Sequence, residues 1–480
     1  MKTSALLKCL ITGMLICIIS ASVTGCTSGP GTSPSIPERI STGAEYAGLM
    51  PLFGDPHVHT NLSDGDESPD FAVRYGRDVT KLDWMCLTDH SELMEFDGWL
   101  GLDYYKSIPA KYNEDGKFSV LFGYEWSNQY YGHRCVYSPT ADIPVLSCTD
   151  AESNTIEKLW EELKGYNAIT VPHHPLLPTN RHWWEFSNPA TEPCVEFYSK
   201  WGNALGWPAV DRKPHIFTDE NFIFKAMAEQ GLRLGMMAGT DTHLSRPGSI
   251  LGESRPDGTL EYERPGLTAV WAVAHTREAI FDALKNRHCY GVTGTRALVE
   301  FSVNGSIMGS DITAESPPEI KFSASTPESS LEKITVIKIH DGHVDVVASF
   351  DVSGINYTGS WTDQQFNSDS AYLLVVALEN TDIAVTSPVW VERVTSLSAV
   401  YYVKRSIHPH SLNDSILKRV RGRIFSADAG SGTSTINSSS SMSDKTTSPN
   451  ARHSFSFGQS PVPKPWKNSG ESGVFSDAET

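Results

Sequence analysis

Cysteine is scarce, basic charge is in deficit, and no apolar run is long enough to span a bilayer; each shortage removes a class of protein. The chain has 8 cysteines in 480 residues, and no two stand in a Cys-x-x-Cys pair. Neither a thiolate zinc site nor a disulfide framework is therefore expected. Cys86 and Cys194 lie in apolar stretches and read as small core hydrophobes. Lys and Arg total 39 against 57 Asp and Glu, a formal charge of −18. So acidic a body argues against nucleic acid as a partner, because phosphate backbones select basic surfaces. No Gly-x-Ser-x-Gly elbow or Ser-His-Asp order occurs, which excludes the usual serine nucleophile.

The apolar stretch at residues 10–19, behind Lys2 and Lys8, is too short for a stable membrane span but suits the centre of a signal peptide. Val23-Thr24-Gly25-Cys26 resembles a bacterial lipobox, which would make Cys26 the lipidated first residue. Residues 29–37, rich in Ser, Thr, Gly and Pro, then read as part of a flexible tether over 26–48. The expectation is an extracytoplasmic, lipid-anchored protein of the cell envelope. Losing residues 1–25 removes two lysines and no acids, taking the charge from −18 to −20.

What the chain does have is histidine in one place. Of 16 histidines, nine fall between His57 and His243, and seven of those stand at or just after the ends of short apolar segments. Residues 51–54 run into Asp55-Pro56-His57-Val58-His59, with Asp64 just beyond. Side chains two apart on a strand point the same way, so His57 and His59 project together. Residues 82–87 end in Thr88-Asp89-His90, and residues 118–123 end in Tyr124-Glu125, with His133 eight residues later. Residues 168–171 end in Pro172-His173-His174-Pro175, and 194–198 in Ser199-Lys200. Residues 234–238 end in Gly239-Thr240-Asp241-Thr242-His243, and a seventh strand is expected at 267–271. Imidazoles and carboxylates converging at strand ends make a metal site.

The intervening segments read as helices. Ser68-Pro69 offers a cap and a proline at the first helical position, Thr155 opens an apolar-periodic run that stops at Gly165, and Thr276 opens another. Strands alternating with helices imply parallel pairing. At least five strand ends contribute polar residues, which favours a β/α barrel over an open doubly wound sheet with its single switch point.

The set His57-x-His59, Asp64, Thr88-Asp89-His90, Glu125, His133, His173-His174-Pro175 and Asp241-x-His243 resembles the polymerase and histidinol phosphatase (PHP) superfamily. Residues 132–134, 266–272 and 276–284 are similar to one of its branches, a domain-of-unknown-function family numbered 3604. The resemblance covers about residues 50–395 and implies a distorted seven-stranded, TIM-like β/α barrel over 49–296, binding two or three divalent transition-metal ions. It assigns His57, His59, Glu125 and Asp241 to one ion. Glu125 bridges to a second ion with His133 and one of His173 and His174, the residue before proline favouring His174. Asp64, His90 and His243 are assigned to a third. Zinc, manganese and iron all suit such ligands. Catalytic roles are expected for Glu125 and Asp241, for Asp89 beside the ligands, and for Arg246. Arg181, His182 and Arg246 are candidate phosphate clamps. Asp55 and Asp89 read either as acceptors that fix an imidazole tautomer or as strand-end caps. Trp126, Trp183, Trp184 and Trp201 read as either stacking platforms or core.

Beyond residue 296 the pattern turns to strands alone. Residues 297–303, 320–324, 334–339, 344–350, 371–378 and 389–391 are strand-like, with turns at Asn304-Gly305 and Asp341-Gly342. A small β-sandwich over 297–395 is expected, structural in role or, as a sharper reading, carbohydrate-binding. Residues 396–480, rich in Ser and Pro, read as a disordered tail. The expected activity is a metal-dependent phosphoesterase using metal-activated water on a small, phosphorylated molecule. The alternatives are a metal hydrolase of a non-phosphate bond and a non-catalytic binding lipoprotein.

Overall fold

The structure is a computed structural model that describes residues 43–176, 183–206, 222–249 and 265–394. Cys26, tether residues 26–42, Arg181, His182 and the tail from 396 lie outside the described residues; the last tether residues do not behave as expected, since Ala44–Tyr46 form a 3-10 turn and the buried Tyr46 hydroxyl donates to the Phe301 carbonyl. In chain order the first part holds β1 (Met50–Asp55), α1 (Pro69–Arg74), β2 (Trp84–Cys86), α2 (Ser91–Phe96), α3 (Leu102–Tyr112), β3 (Ser119–Asn128) and β4 (Gly132–Ser138). It continues with α4 (Ile156–Glu162), β5 (Ile169–Pro172), β6 (Cys194–Ser199), β7 (Gly202–Asn203), α5 (Ile223–Gln230), β8 (Gly235–Ala238), β9 (Leu267–Ala272), α6 (Arg277–Lys285) and β10 (Cys289–Val292). The local chemistry read from sequence is in place. Ser68, Thr155 and Thr276 each cap a helix by accepting a backbone N–H three residues on, and Gly231 ends α5 in the left-handed conformation.

The second part is all strand: β11 (Leu298–Val303), β12 (Ser306–Ile307), β13 (Asp311–Ala314), β14 (Glu319–Ser325) and β15 (Leu331–His340). Then come β16 (His343–Asp351), β17 (Asn356–Thr362), β18 (Ser370–Leu378), β19 (Ile383–Thr386) and β20 (Val389–Arg393). Asn304-Gly305 and Asp341-Gly342 take positive φ and turn β11 into β12 and β15 into β16. The four-stranded sheet β12-β11-β14-β17 faces a larger one, and Phe301, Ile320 and Phe322 share a core with Val336, Leu374 and Val376. The larger sheet does not stop there. It runs β13-β20-β18-β19-β10-β9-β1-β2-β3-β4-β5, so hydrogen bonds between β19 and β10 join the two parts in one sheet.

The expected closed seven-stranded barrel is not what the chain forms. All seven expected strands exist, but β6, β7 and β8 make a separate three-stranded sheet. The reason lies in β9, whose two edges are taken by antiparallel partners, β1 on one side and β10 on the other. Strand β8 therefore finds no ladder there. Instead its Ala238 N–H donates to the Thr268 hydroxyl of β9, which in turn donates to the Ala238 carbonyl. Parallel pairing is also rarer than expected: β1–β2, β2–β3 and β6–β8 are parallel in the first part, while β3–β4 and β4–β5 are antiparallel. The three-residue gap between β3 and β4 permits only a hairpin.

The strand ends are laced together by the main chain beyond the ladders. Asp241 N–H donates to the His57 carbonyl, His59 N–H to the Thr242 carbonyl, and Glu125 N–H to the Asp89 carbonyl. The seam between the sheets is tightest at Gly266, where a Cβ would lie 2.2 Å from the Gly239 carbonyl oxygen. A backbone atom cannot swing aside as a side chain can. Gly266→Ala is expected to destabilise the fold by about 2–3 kcal/mol, measurable by denaturant unfolding; a loss below a few tenths would show that the seam is slack.

Candidate metal centre

The laced ends bring ten imidazole and carboxylate side chains into one cluster. Glu125 on β3 is its hub, and its two oxygens face different partners. Oε2 lies 3.2 Å from His57 Nε2 and 3.4 Å from His59 Nε2. Asp241 Oδ1 completes that set, 3.5 Å from His57 Nε2 and 3.1 Å from His59 Nε2, and the two imidazole nitrogens are 3.2 Å apart. A tetrahedral ion with bonds of about 2.0–2.1 Å spaces its ligand atoms about 3.3–3.4 Å apart, and an octahedral one about 3.0 Å. The spacings observed are those of a coordination shell.

Oε1 of Glu125 faces the other way, 2.8 Å from His133 Nδ1 and 3.1 Å from His173 Nε2. His133 reaches it because β4 folds back antiparallel on β3, pairing Ser127 with His133 and setting that histidine diagonally across from Glu125. His174 completes a group with Glu125, His133 and His173, their ligand atoms all within 4.8 Å of one another. His173, on the residue before, is the one in contact with the carboxylate. His174 takes a left-handed φ of 36°, as Asp241 does at 55°. For a histidine that conformation costs on the order of 1 kcal/mol, and it persists only where the surroundings hold it.

A third group comprises His59, Asp64, His90 and His243. Asp64 Oδ2 lies 3.6 Å from His90 Nε2 and 3.3 Å from His243 Nε2, and Oδ1 lies 3.7 Å from His59 Nδ1. The His59 ring is stacked between those of His90 and His243, with centroids 4.5 and 4.3 Å away. Every sequence-expected metal ligand thus enters the cluster.

The donor set fits metal ions on a further count. Both ring nitrogens of His133 and of His173, and Nδ1 of His59, are buried and have no hydrogen-bond partner among the described residues. They stand within reach of carboxylates without being aimed at them, as ligands aimed at a common ion would be. Protonation also favours ligation. Burial, with His243 and His90 nearby, pushes His59 down to about 3. Burial likewise takes His173 to about 4 and His174 well below its ordinary value. Glu125 and Asp241 resist burial and stay well below the usual carboxylate range, Glu125 through His90 and His173 and Asp241 through His57 and Lys200. Two imidazoles go the other way. Burial opposes it, but Cys135, Asp241 and Glu196 hold His57 well above its ordinary value. Against the same opposition, Glu125, Glu92 and Asp64 raise His90 to about 10.

Comparison with known proteins places the chain near families of unassigned role. Residues 251–333 match a family model described as a protein of unknown function, DUF3604. An uncharacterized protein of Chlamydia pneumoniae is 24% identical over 361 residues, and one of Chlamydia trachomatis is 24% identical over 372. Each match covers 71% of this chain but 57% of the relative, so the chain spans under two thirds of their length. Among solved structures, one from Bacteroides vulgatus is a two-domain protein containing a predicted PHP-like metal-dependent phosphoesterase. It is 15% identical and covers 69% of this chain and 92% of its own, with a TM-score of 0.35. The lesion-specific endonuclease PfuEndoQ from Pyrococcus furiosus is 12% identical, with a TM-score of 0.30, covering 49% of this chain and 56% of its own. Likenesses this loose superpose no site, and the ligand geometry stands on its own.

Around the ligands the structure redistributes several expected roles. Among the described residues neither Asp55 nor Asp89 makes a hydrogen bond or ion pair to an imidazole side chain. Asp55 accepts the backbone N–H groups of His57, Thr240 and Gly248 and the Thr240 hydroxyl. Asp89, given a catalytic role from sequence, accepts from Thr60 N–H, the Thr60 hydroxyl and the Ser63 hydroxyl, fixing the loop that carries Asp64. The carboxylate that does orient an imidazole is Glu196, whose oxygens lie 3.1 and 3.2 Å from His57 Nδ1. Burial raises it to about 7 despite His57. Its signal in the sequence was an acid in the middle of an apolar strand, a costly placement without a partner. Ser127 bonds both His90 Nδ1 and Glu125 Oε1. Arg246 is half-buried, its carbonyl accepts the Ser249 N–H, and no ion pair ties it to the cluster among the described residues. Trp126 is core, donating to the Ser153 carbonyl, and Trp184 packs against core residues, whereas Trp201 donates to Asp241 Oδ2 at 2.6 Å.

Two outcomes follow. Glu196→Gln is expected to weaken metal affinity about 10–100-fold while leaving the fold intact, as read by competition with a chelator; unchanged affinity would remove its orienting role. Metal must also displace the protons that His57 and His90 carry when no ion is bound. Affinity therefore rises as pH approaches about 10, the value for His90, and loading near neutral pH releases up to about two protons. Calorimetry in buffers of different ionisation heat counts them, and a count of zero would contradict the raised values.

Proposed function

We propose that the chain is a metal-dependent hydrolase, of the PHP type in its ligand set, that cleaves phosphoesters. One observation carries the reading: Glu125 presents Oε2 to His57 and His59 and Oε1 to His133 and His173, which is how a carboxylate bridges two ions. His57, His59 and Asp241 would hold the first ion, His133, His173 and His174 the second, and Asp64, His90 and His243 a third. Adjacent divalent ions supply Lewis acidity for both the attacking and the leaving oxygen of an in-line displacement, and they activate water near neutral pH.

The protein residues do the rest. Glu196 holds the His57 ring by Nδ1 and so leaves Nε2 to ligate. Trp201 occupies Asp241 Oδ2, which leaves Oδ1 toward His57 and His59. Asp55 and Asp89 lash the strand ends that deliver these groups. An array so thoroughly fixed would suit a phosphoester, whose two oxygens could be divided between neighbouring ions held by these residues.

Metal-loaded protein tested on phosphomonoesters, phosphodiesters and amides decides the reaction class. Phosphoester hydrolysis is expected, with Glu125→Gln losing at least one ion by elemental analysis and about 10³-fold or more of the rate. Amide cleavage alone would transfer the site to the non-phosphate reading. No turnover at full occupancy would leave a binding protein.

A further inference from the structure

We propose that the strand-only part of the chain carries a second binding site, for a neutral oligosaccharide, in a cavity between the edge strands of its two sheets. β16 pairs with β15 alone and β17 with β14 alone, so each ends its sheet. A cavity of about 500 Å³ lies here, walled by β15, β16, the end of β17 and the β17–β18 connection, a size usual for small-molecule sites. The local pairing makes room for it. The register slips by one residue between Val336 and Ile337, which leaves Val347 of β16 without a partner on β15, and Val347 lines the cavity. A bulge of this kind bends an edge strand and re-aims its side chains, and bulges collect beside functional sites.

The buried end of the cavity is an ion pair. Lys338 Nζ lies 2.7 Å from Asp363 Oδ2, and each side chain is 3% exposed. The carboxylate is fully engaged, since Oδ2 also accepts the Tyr372 hydroxyl at 2.6 Å and Oδ1 accepts the Gln365 N–H at 2.9 Å. The ammonium keeps donors to spare: Asp363 takes one of its three N–H groups, and no second acceptor meets it among the described residues. A buried ion pair is tolerable when its remaining protons find oxygen, and in the cavity that oxygen comes from water or from the hydroxyls of a ligand. The walls complete a match to a sugar. Trp361 is half-buried on the face of β17 that Tyr357 and Gly359 share, and Gln364 and Asn367 are exposed amides that no other described side chain engages. A pyranose offers C–H groups on its ring face and hydroxyls around its edge, which suits an indole plate bordered by amides. Other ligand classes fit less well. A phosphate or nucleotide needs a free cation, and the one fixed cation among the lining residues is already paired with Asp363. A lipid or an apolar peptide would strand the spare donors and the amides.

Affinity electrophoresis of the full-length, metal-loaded protein through gels containing soluble glucans, mannan, xylan or glycol chitin tests the site. Retardation by at least one of them is expected, and retardation by none overturns the proposal. Trp361→Ala is expected to weaken binding about tenfold or more. Because Trp361 also packs against the core, a variant carrying Gln364→Ala with Asn367→Ala, changed only at exposed positions, gives an independent measure and is expected to lose about fivefold or more. Affinity within about twofold of wild type in that double variant, or in a folded Trp361→Ala protein, would place the sugar elsewhere and overturn the site. So would loss of binding when a chelator strips the metal, which would move the sugar to the metal centre.

Discussion

A carboxylate that is 0% exposed and stays ionised sets the terms for this structure. Taking Glu125 out of water costs several kcal/mol unless positive charge meets it from close by. Here it is met on both oxygens, by histidines delivered from four chain segments that have no other reason to converge. The strand ends must reach one point, to within a few tenths of an ångström, for that burial to be tolerable. The interstrand lacing of main-chain hydrogen bonds, the buried Asp55 and Asp89 knots and the β3–β4 hairpin all serve that convergence.

Much of this was legible in the sequence because strand chemistry is local. A strand of period two that ends in His-x-His or Asp-x-His announces its own direction and its own cargo, and the Ser68, Thr155 and Thr276 caps announce the helices between. The residues that converge in the cluster were legible for the same reason. Pairing between strands was not, because it depends on which edges are already occupied. β9 accepts β10, whose sequence Cys289-Tyr290-Gly291-Val292 carries no site residue, and so shuts out β8 and leaves the expected barrel unclosed. Nor does the sequence separate an acid that ties down backbone from one that orients a ligand. Asp89, beside a ligand in the chain, proved to hold a loop, and Glu196, four residues before Lys200 in an apolar strand, proved to hold a histidine.

Six of the positive-φ residues divide along the same line. Asn304, Gly305, Asp341 and Gly342 turn hairpins, where the left-handed region is the natural choice. His174 and Asp241 turn nothing. They adopt that region within the cluster, where both are buried. The strain is small, on the order of 1 kcal/mol per residue, and the surrounding contacts can hold it only if they are already rigid. That rigidity, rather than the number of ligands, distinguishes this cluster from a patch of surface acids.

The same rigidity bears on how the fold tolerates an empty centre. Four carboxylates crowd together in Glu125, Asp241, Asp64 and Glu196, and without positive charge among them the cluster would be driven apart. Protons take the place of ions there: His57 and His90 are held charged by the carboxylates around them. The histidines that stay neutral, His59, His173 and His174, are those whose extra proton would only add repulsion to neighbours already charged. Loading the centre would therefore exchange a pair of protons for divalent ions, and metal binding need not be coupled to folding as it is in a small zinc domain. Two divalent ions would balance these four carboxylates, and a third would leave a surplus charge for an anionic substrate to meet.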